Sequence, residues 1–93
     1  MEYEVIIRRV AQKQLSKLPL DIQQRFHLLV SVLKGQGPTA PHQWRNYGKL
    51  KGQKNSYHCH LANNHAYVAC WEYQKNTITI EVDYVGSHKD APY

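Results

Sequence analysis

The chain has 93 residues, of which 42% are hydrophobic and 20% charged, and its formal net charge is +5 at pH 7. This length predicts a single domain over residues 1–93 with a thin core, and it argues against a large enclosed substrate cavity. We recognise no signal peptide and no apolar run near the about 20 residues that span a membrane, so we expect a cytoplasmic protein without a membrane partner. Cys59 and Cys70 are expected to be reduced, buried thiols.

The positive charge is concentrated in the middle of the sequence. No Asp or Glu occurs between Asp21 and Glu72, whereas the same stretch contains six Lys or Arg residues and five His residues. Such a field predicts a polyanion or an acidic protein as the partner. A surface that serves only solubility usually mixes both signs, and we therefore favour a binding surface.

The first predicted elements are a strand and two helices. Residues 2–8 form a β-branched run that is typical of a strand, and apolar residues then recur at helical spacing over 10–18. Asp21 is a candidate N-cap for a second helix, whose apolar stripe ends at Gly35 or Gly37. We expect this helical hairpin to lie against a sheet.

After a proline-containing connection, the rest of the chain is predicted to form an antiparallel β-meander. Its predicted strands are 45–51, 56–62, 65–73 and 77–86. The whole order predicts an α+β fold in which two helices cover one face of a twisted sheet of four to five strands. The opposite face of the sheet is then left open.

The first hairpin of the meander decides which side chains lie on that open face. Asn63-Asn64 fits a tight two-residue turn, which pairs His60 with Tyr67. This register directs both cysteines toward the helices. The side chains on the open face are then His58, His60, His65, Tyr67, Ala69 and Trp71.

The strands on either side of this hairpin are placed by the same hydrophobic pattern. For the next hairpin we predict a three-residue loop at 74–76, because it aligns Cys70 with Ile80 on the apolar face. On the strand before the hairpin, Lys49 and Lys51 share one side. We predict that these lysines join the open face.

The open face offers imidazole, phenol and ammonium groups. We expect no metal site, since His58-x-His60 supplies only two ligands and the cysteines point elsewhere, and nothing in the sequence indicates a small-molecule cofactor. RNA carries its own nucleophile, the ribose 2′-OH, so cleavage needs only a base, an acid and cations around the phosphate. Histidine suits both proton transfers near neutral pH.

Individual candidates follow from this chemistry, each with a structural alternative. His58 and His60 are candidates for catalysis or RNA contact, or they are solvated strand positions. His88, close to the end of the sequence, has no evident packing role. The residues predicted to bind RNA are Arg45, Lys49, Lys51, Lys54, His58, His65 and Tyr67. The lysines could instead protect a strand edge, and Trp71, a further stacking candidate, could belong to the core.

The order of elements resembles the RelE/ParE toxin superfamily over nearly the whole chain. The most specific segments are KQLSKLP at 13–19, YGKLKG at 47–52, YHCHLANNHAYVACW at 57–71 and VDYVGSHKDAPY at 82–93. The last segment is similar to the C-terminal strand of the RelE, YoeB and YafQ branch, in which a glycine and a histidine precede a terminal aromatic residue.

The resemblance implies a ribosome-dependent mRNA endonuclease, neutralised by a small antitoxin that wraps it. It also implies that His60, His88 and Tyr93 are catalytic, with His88 as a proton-transfer candidate and Tyr93 positioning a base or phosphate. Lys49 falls near a further functional position. Tyr93 lies one residue later than the YafQ-like spacing, and the Glu–Arg pair of the YoeB-like branch has no clear match.

Two other functions remain compatible with the sequence. The first is a ParE-like protein that inhibits DNA gyrase, which the histidines of the open face and the GSHKDAPY ending argue against. The second is an inactive module that binds RNA or an antitoxin, for which the basic surface alone is sufficient. Cleavage of RNA separates the nuclease from both alternatives.

Overall fold

The computed structural model describes residues 2–50, 52, 55–62 and 67–93, and within them it contains two α-helices and a five-stranded mixed sheet. The elements are β1 (Glu4–Ile7), α1 (Arg9–Leu15), α2 (Leu20–Gln36), β2 (Gly48–Lys49), β3 (Ser56–His60), β4 (Tyr67–Gln74) and β5 (Thr79–Ser87), with 3-10 turns η1 (Ala40–Gln43) and η2 (His88–Asp90). The strand order is β1-β5-β4-β3-β2, and β1 runs parallel to β5 while the other pairs are antiparallel. The predicted α+β fold is therefore confirmed.

A proline precedes α2 and a glycine follows it, and each suits its place. α2 follows Pro19, whose fixed φ suits a helix start, so the predicted N-cap at Asp21 is wrong: Asp21 lies in the first turn, where a carboxylate is favoured by the helix dipole. α2 ends at Gly37, which has a φ of 105° and donates its N–H to the Leu33 carbonyl. No helix in the described ranges is long and apolar enough to cross a membrane.

The main core lies between the helices and one face of the sheet. Its helical part is a buried stripe consisting of Ala11, Leu15, Ile22, Phe26, Leu29 and Leu33. β3 contributes Tyr57 and Cys59, and Trp71 is fully buried beside them. The indole N–H of Trp71 donates to the Pro38 carbonyl at 3.0 Å, which satisfies its polar atom inside the core.

The register of the β3–β4 hairpin differs from the prediction by one residue. His60 pairs with Val68 rather than with Tyr67, and the predicted turn residues Asn63-Asn64 lie outside the described residues. A shift of one residue turns every side chain of β4 to the other face. Tyr67 and Trp71 consequently pack on the helix side. Burial of the large indole explains why this register is preferred.

The β4–β5 hairpin also departs from the prediction. Gln74 pairs with Thr79 around a four-residue loop, and Cys70 lies opposite Tyr84 rather than Ile80. The pairing then moves to Trp71 and Val82, which leaves Asp83 as an extra residue at a β-bulge. The bulge allows Val82 to pack in the main core while Tyr84 lies on the open face with Cys70.

Candidate functional site

His58 and His60 lie on the open face, the side of the sheet away from the helices. They alternate along β3 with Tyr57 and Cys59, whose side chains are in the main core. The open face also has a small apolar cluster of its own, formed by Val68, Cys70 and Tyr84. Cys70 was expected in the main core and is instead buried on this side, because of the shifted register.

The segment after β5 folds back over this small cluster. Tyr84 donates its hydroxyl proton to the Ser87 carbonyl at 2.7 Å, and the Ser87 side chain accepts the Asp90 N–H at the start of η2. Gly86 makes the bend possible, since a Cβ there would lie 2.9 Å from the Tyr84 hydroxyl oxygen. Ala91 then packs against the cluster, which anchors a terminal segment that would otherwise fray.

This folding brings four rings together, and we call His58, His60, His88 and Tyr93 the histidine cluster. The ring centroids of His60 and His88 are 5.0 Å apart, and Tyr93 stacks on His58 at 4.4 Å. His88 and Tyr93 meet edge to face at 6.1 Å. Asn46 places its side-chain nitrogen 3.4 Å from Nε2 of His60. The three residues predicted to be catalytic are therefore neighbours in space.

The surroundings keep two members of the cluster uncharged at neutral pH. Partial burial, followed by the charge of His88, lowers the pKa of His58. Its Nδ1 is buried and has no hydrogen-bond partner among the described residues. Partial burial raises the pKa of Tyr93 to about 12. A neutral imidazole and a protonated phenol therefore lie beside the His60–His88 pair.

The two thiols do not supply a reactive group to this site. Burial raises the pKa of both Cys59 and Cys70 to about 12, so both remain protonated near neutral pH. A thiol in this state is a poor nucleophile and a poor metal ligand. Across the part of the chain that the structure describes, no three His, Cys, Asp or Glu side chains are arranged to hold a metal ion.

Arg45, one of the residues predicted to bind RNA, lies next to His60 in the fold. Its carbonyl accepts the His60 N–H at 2.8 Å, which extends the pairing beyond β2. The exposed side chain of Arg45 lines a cleft of about 400 Å³ that His60 also lines. The placement of Arg45 thus provides a cation next to one of the two paired imidazoles.

Lys49 lies on the other side of the sheet, so its predicted orientation is wrong. It pairs with Tyr57, and its ammonium nitrogen lies 5.9 Å from the centre of the Tyr57 ring. The cause is Tyr47, which stacks on Tyr57 in the main core and fixes which residues of β2 face the helices. Gly48 consequently lies next to His58. Lys51 and Lys54 lie outside the described residues, and their roles stay predictions.

Tyr67 and Trp71 were also expected on the open face, and both are found on the helix side. Tyr67 is half-buried against the main core, and Trp71 is 0% exposed, so Trp71 cannot stack on a bound base. The one-residue shift of the hairpin explains both corrections. His65 lies outside the described residues.

Two residues of the site were missed from the sequence. Asn46 has a φ of 55°, a conformation that asparagine adopts more readily than most residues, and it reaches His60 from the loop before β2. Tyr84 fixes the bend that carries His88. A signal for Tyr84 was present, because a glycine inside a strand, here Gly86, often marks the close approach of another group.

Comparisons with known proteins support the fold. No family model matches the sequence, and no curated protein matches it significantly. Among solved structures, the chain is similar to a chain of the archaeal RelE–RelB complex from Pyrococcus horikoshii OT3, with 22% identity over 98% of this chain and 100% of that one, and a TM-score of 0.77.

Further solved structures share the same architecture. The isolated RelE toxin of E. coli is 19% identical over 97% of this chain and 88% of that chain, with a TM-score of 0.71. The RelB–RelE complex of Methanococcus jannaschii matches with 21% identity over 90% of this chain and 91% of that chain, with a TM-score of 0.69. The chain therefore has the RelE-like toxin fold.

Proposed function

We propose that this protein is the toxin of a type II toxin–antitoxin pair and that it cleaves mRNA on the ribosome as a metal-independent endoribonuclease. The observation that carries the proposal is the approach of His60 and His88, whose ring centroids lie 5.0 Å apart beside Tyr93. Two imidazoles in contact, His88 exposed and His60 buried beneath it, can act as base and acid in a single displacement. The RelE-like fold supports the same reaction class by analogy.

The reaction proposed is an attack of the ribose 2′-OH on the adjacent phosphorus. One imidazole of the His60–His88 pair accepts the 2′-OH proton as the O2′–P bond forms, and the other, protonated, donates a proton to O5′ as the P–O5′ bond breaks. The products are a 2′,3′-cyclic phosphate and a free 5′-OH, and the two histidines end with their protonation states exchanged. Atoms and charge balance without any further reactant.

The neighbouring groups stabilise and position the phosphate in this scheme. Because Tyr93 remains a protonated phenol, it can donate a hydrogen bond to a phosphate oxygen that gains charge in the transition state. Arg45 supplies a guanidinium next to His60 for the same charge. His58 supports the ring of Tyr93 by stacking and stays neutral, so it adds no competing positive charge.

The test is cleavage of mRNA after brief induction of the protein, with the ends of the fragments mapped and their chemistry determined. We expect growth arrest and fragments with 2′,3′-cyclic phosphate ends, both lost in His60→Ala and in His88→Ala. Because His88 is exposed, its substitution tests catalysis with little effect on folding. Unaltered cleavage in the double variant would remove the histidine pair from the mechanism. Intact mRNA with accumulating DNA breaks would instead favour inhibition of gyrase.

We also propose that a small antitoxin protein is the cognate partner and that the pair acts in the cytoplasm. The support is that the solved neighbours from P. horikoshii and M. jannaschii are complexes of RelE with RelB. The carboxylate-free stretch from residue 22 to residue 71 favours an acidic partner. The test is co-expression with the reading frame next to the gene, which should restore growth and yield a stable complex. A neighbouring product that neither binds nor restores growth would contradict this assignment.

A further inference from the structure

A cleft of about 400 Å³ opens at the edge of the sheet, where α2 passes the end of β3. Its walls include Arg25 and Leu28 of α2, Trp44 and Arg45 of the loop before β2, and His60 of β3. His60, which is only 4% exposed, contributes to the lining of the cleft. The cleft therefore adjoins the histidine cluster and extends away from it toward α2.

The charge of this cleft has one sign. The described lining residues fall between residues 25 and 62, within the stretch of the sequence that contains no Asp or Glu. Arg25 and Arg45 line the cleft, and none of the described residues in the lining is a carboxylate, in contrast to most protein surfaces, which mix both signs. Such a site favours an anion, and the planar guanidinium groups suit the oxygens of a phosphate.

The cleft also offers an apolar surface beside these cations. Leu28 is 58% exposed although it is a large hydrophobic residue, and Trp44 is half-buried at the same wall. An exposed leucine next to an aromatic ring and two guanidinium groups matches a ligand with one flat apolar part and one anionic part. A nucleotide has this composition, whereas inorganic phosphate lacks the flat part.

We infer that this cleft binds a nucleotide of the RNA strand next to the scissile one, with its phosphate on Arg25 and Arg45 and its base against Leu28 and Trp44. The inference rests on the proposed function for the identity of the strand. It adds a second binding position, on the α2 side of His60, to the site formed by the histidine cluster. The residues on this wall would then contribute to the selection of the sequence that is cut.

The experiment measures binding rather than cleavage. The probe is a fluorescent single-stranded RNA hexamer with 2′-O-methyl groups, which lacks the nucleophile, and its Kd is determined over a series of salt concentrations. We expect Arg25→Gln to weaken binding about tenfold and to reduce the slope of log Kd against log salt by about 0.7, the value for one phosphate contact on a single strand. The double variant with Arg45→Gln should lose about 1.4 of the slope.

Two further variants separate the parts of the inference. Arg9→Gln on α1 removes the same charge from an exposed helix residue outside the cleft lining, and we expect it to leave the slope unchanged. Leu28→Ser should raise Kd without changing the slope, because a base contact releases no counterion. Both positions are exposed, so neither variant should impair folding.

Several results would overturn the inference. A slope that falls as much in Arg9→Gln as in Arg25→Gln would assign the effect to the overall charge of the protein. An octaglutamate peptide that binds as tightly as the RNA, with the same loss in the arginine variants, would assign the cleft to an acidic protein segment. An unchanged Kd in the arginine variants would show that the cleft does not bind the RNA. Because the probe cannot be cut, this result would leave the proposed function untouched, which is tested separately by cleavage of mRNA.

Discussion

The two ends of the open face differ in how their polar groups are satisfied. At one end, Arg8 donates from Nε to Glu81 at 2.8 Å and lies 3.9 Å from Glu72, so this cation is paired with carboxylates of the same chain. At the other end, the histidine cluster consists of rings that contact one another, and Nδ1 of His58 is buried with no partner among the described residues. The first end is held together by ion pairs, whereas the second places groups that can transfer protons next to one another.

The β-bulge separates these two ends along β5. Asp83, the extra residue at the bulge, has a raised pKa because burial outweighs the opposing effect of Arg8. Tyr84 follows directly and belongs to the histidine end through its bond to Ser87. One irregularity in the pairing thus allows a carboxylate and a positioning phenol to be adjacent in sequence while they serve different parts of the face.

The largest effect is expected on the rate of RNA cleavage when one residue at each end is substituted. His60→Ala should lower the cleavage rate by about 10² to 10⁴, the range for the loss of a positioned acid or base. Glu81→Gln at the opposite end should leave the rate within about twofold, since it removes only a partly exposed ion pair. The measurement is the rate of cleavage of a reporter mRNA in a reconstituted translation system. Equal losses in both variants would mean that the face acts as one unit.

Many of the features that distinguish the two ends could be predicted from the sequence. Hydrophobic periodicity gave both helices, and the alternation along residues 57–61 placed His58 and His60 away from the helices, as the structure has them. The end of α2 at Gly37 was one of the two positions predicted, because a positive φ there favours glycine. Local patterns were sufficient for these features, although they placed the N-cap of α2 at Asp21 instead of Pro19.

The other parts that were wrong depend on contacts between elements. The alternation of β4 fits either face, and the sequence does not reveal that the Pro38 carbonyl is placed to accept the Trp71 indole proton. The bulge at Asp83 has no local signal, since it reconciles the demands of two strands at once. Lys49 was assigned to the wrong side for a related reason, the stacking of Tyr47 on Tyr57.

The second prediction concerns Tyr84 as a positioning residue for His88. Tyr84→Phe removes only the hydroxyl that holds the Ser87 carbonyl, so we expect the free energy of unfolding to fall by about 1 kcal/mol. Since η2 is then less well placed, kcat should fall about tenfold while KM changes little. Gly86→Ala should act in the same direction, because its Cβ displaces the Tyr84 hydroxyl.

A matched control for Tyr84 is available on the other side of the sheet. Tyr73→Phe also removes a hydroxyl from a strand residue, but Tyr73 is half-buried where Tyr84 is buried, and it packs against the main core, edge to face with Tyr3. We expect little change in kcat for this variant. A parallel change in kcat and KM for Tyr84→Phe, or an equal loss of kcat in the control, would leave Tyr84 with a purely structural role.

The third prediction is that His58 and Asp83, at the two ends, make the free energy of unfolding depend on pH with opposite signs. The folded-state pKa of His58 is below its ordinary value of 6.5, so its contribution to stability is present above pH 6.5 and is lost as the pH falls through the folded-state pKa. The folded-state pKa of Asp83 is above 3.8, so its contribution is present below pH 3.8 and is lost as the pH rises through the folded-state pKa. Urea unfolding from about pH 4 to about pH 8 measures both.

Single substitutions show which residue causes each change of the unfolding free energy with pH. His58→Phe keeps a ring against Tyr93 but cannot bind a proton, so the loss of stability on acidification should become shallower. Asp83→Asn removes the opposing contribution, so stability should no longer decline through the carboxylate range as the pH rises. A profile that neither variant changes would show that other groups determine the pH dependence.

The smallest effect is expected from the ion pair between Arg8 and Glu81. Arg8→Ala should lower the free energy of unfolding by no more than about 1 kcal/mol, because the side chain of Arg8 is 46% exposed and water screens its interaction with Glu81. The pKa of Asp83 should rise further, since the charge of Arg8 opposes the effect of burial. Both can be followed by urea unfolding and by titration of the carboxyl signals in NMR spectra. A loss of several kcal/mol would mean that the Arg8 ion pair is coupled to the main core as tightly as Trp71. The proposed difference between an end held by exposed ion pairs and an end that binds a ligand would then no longer hold.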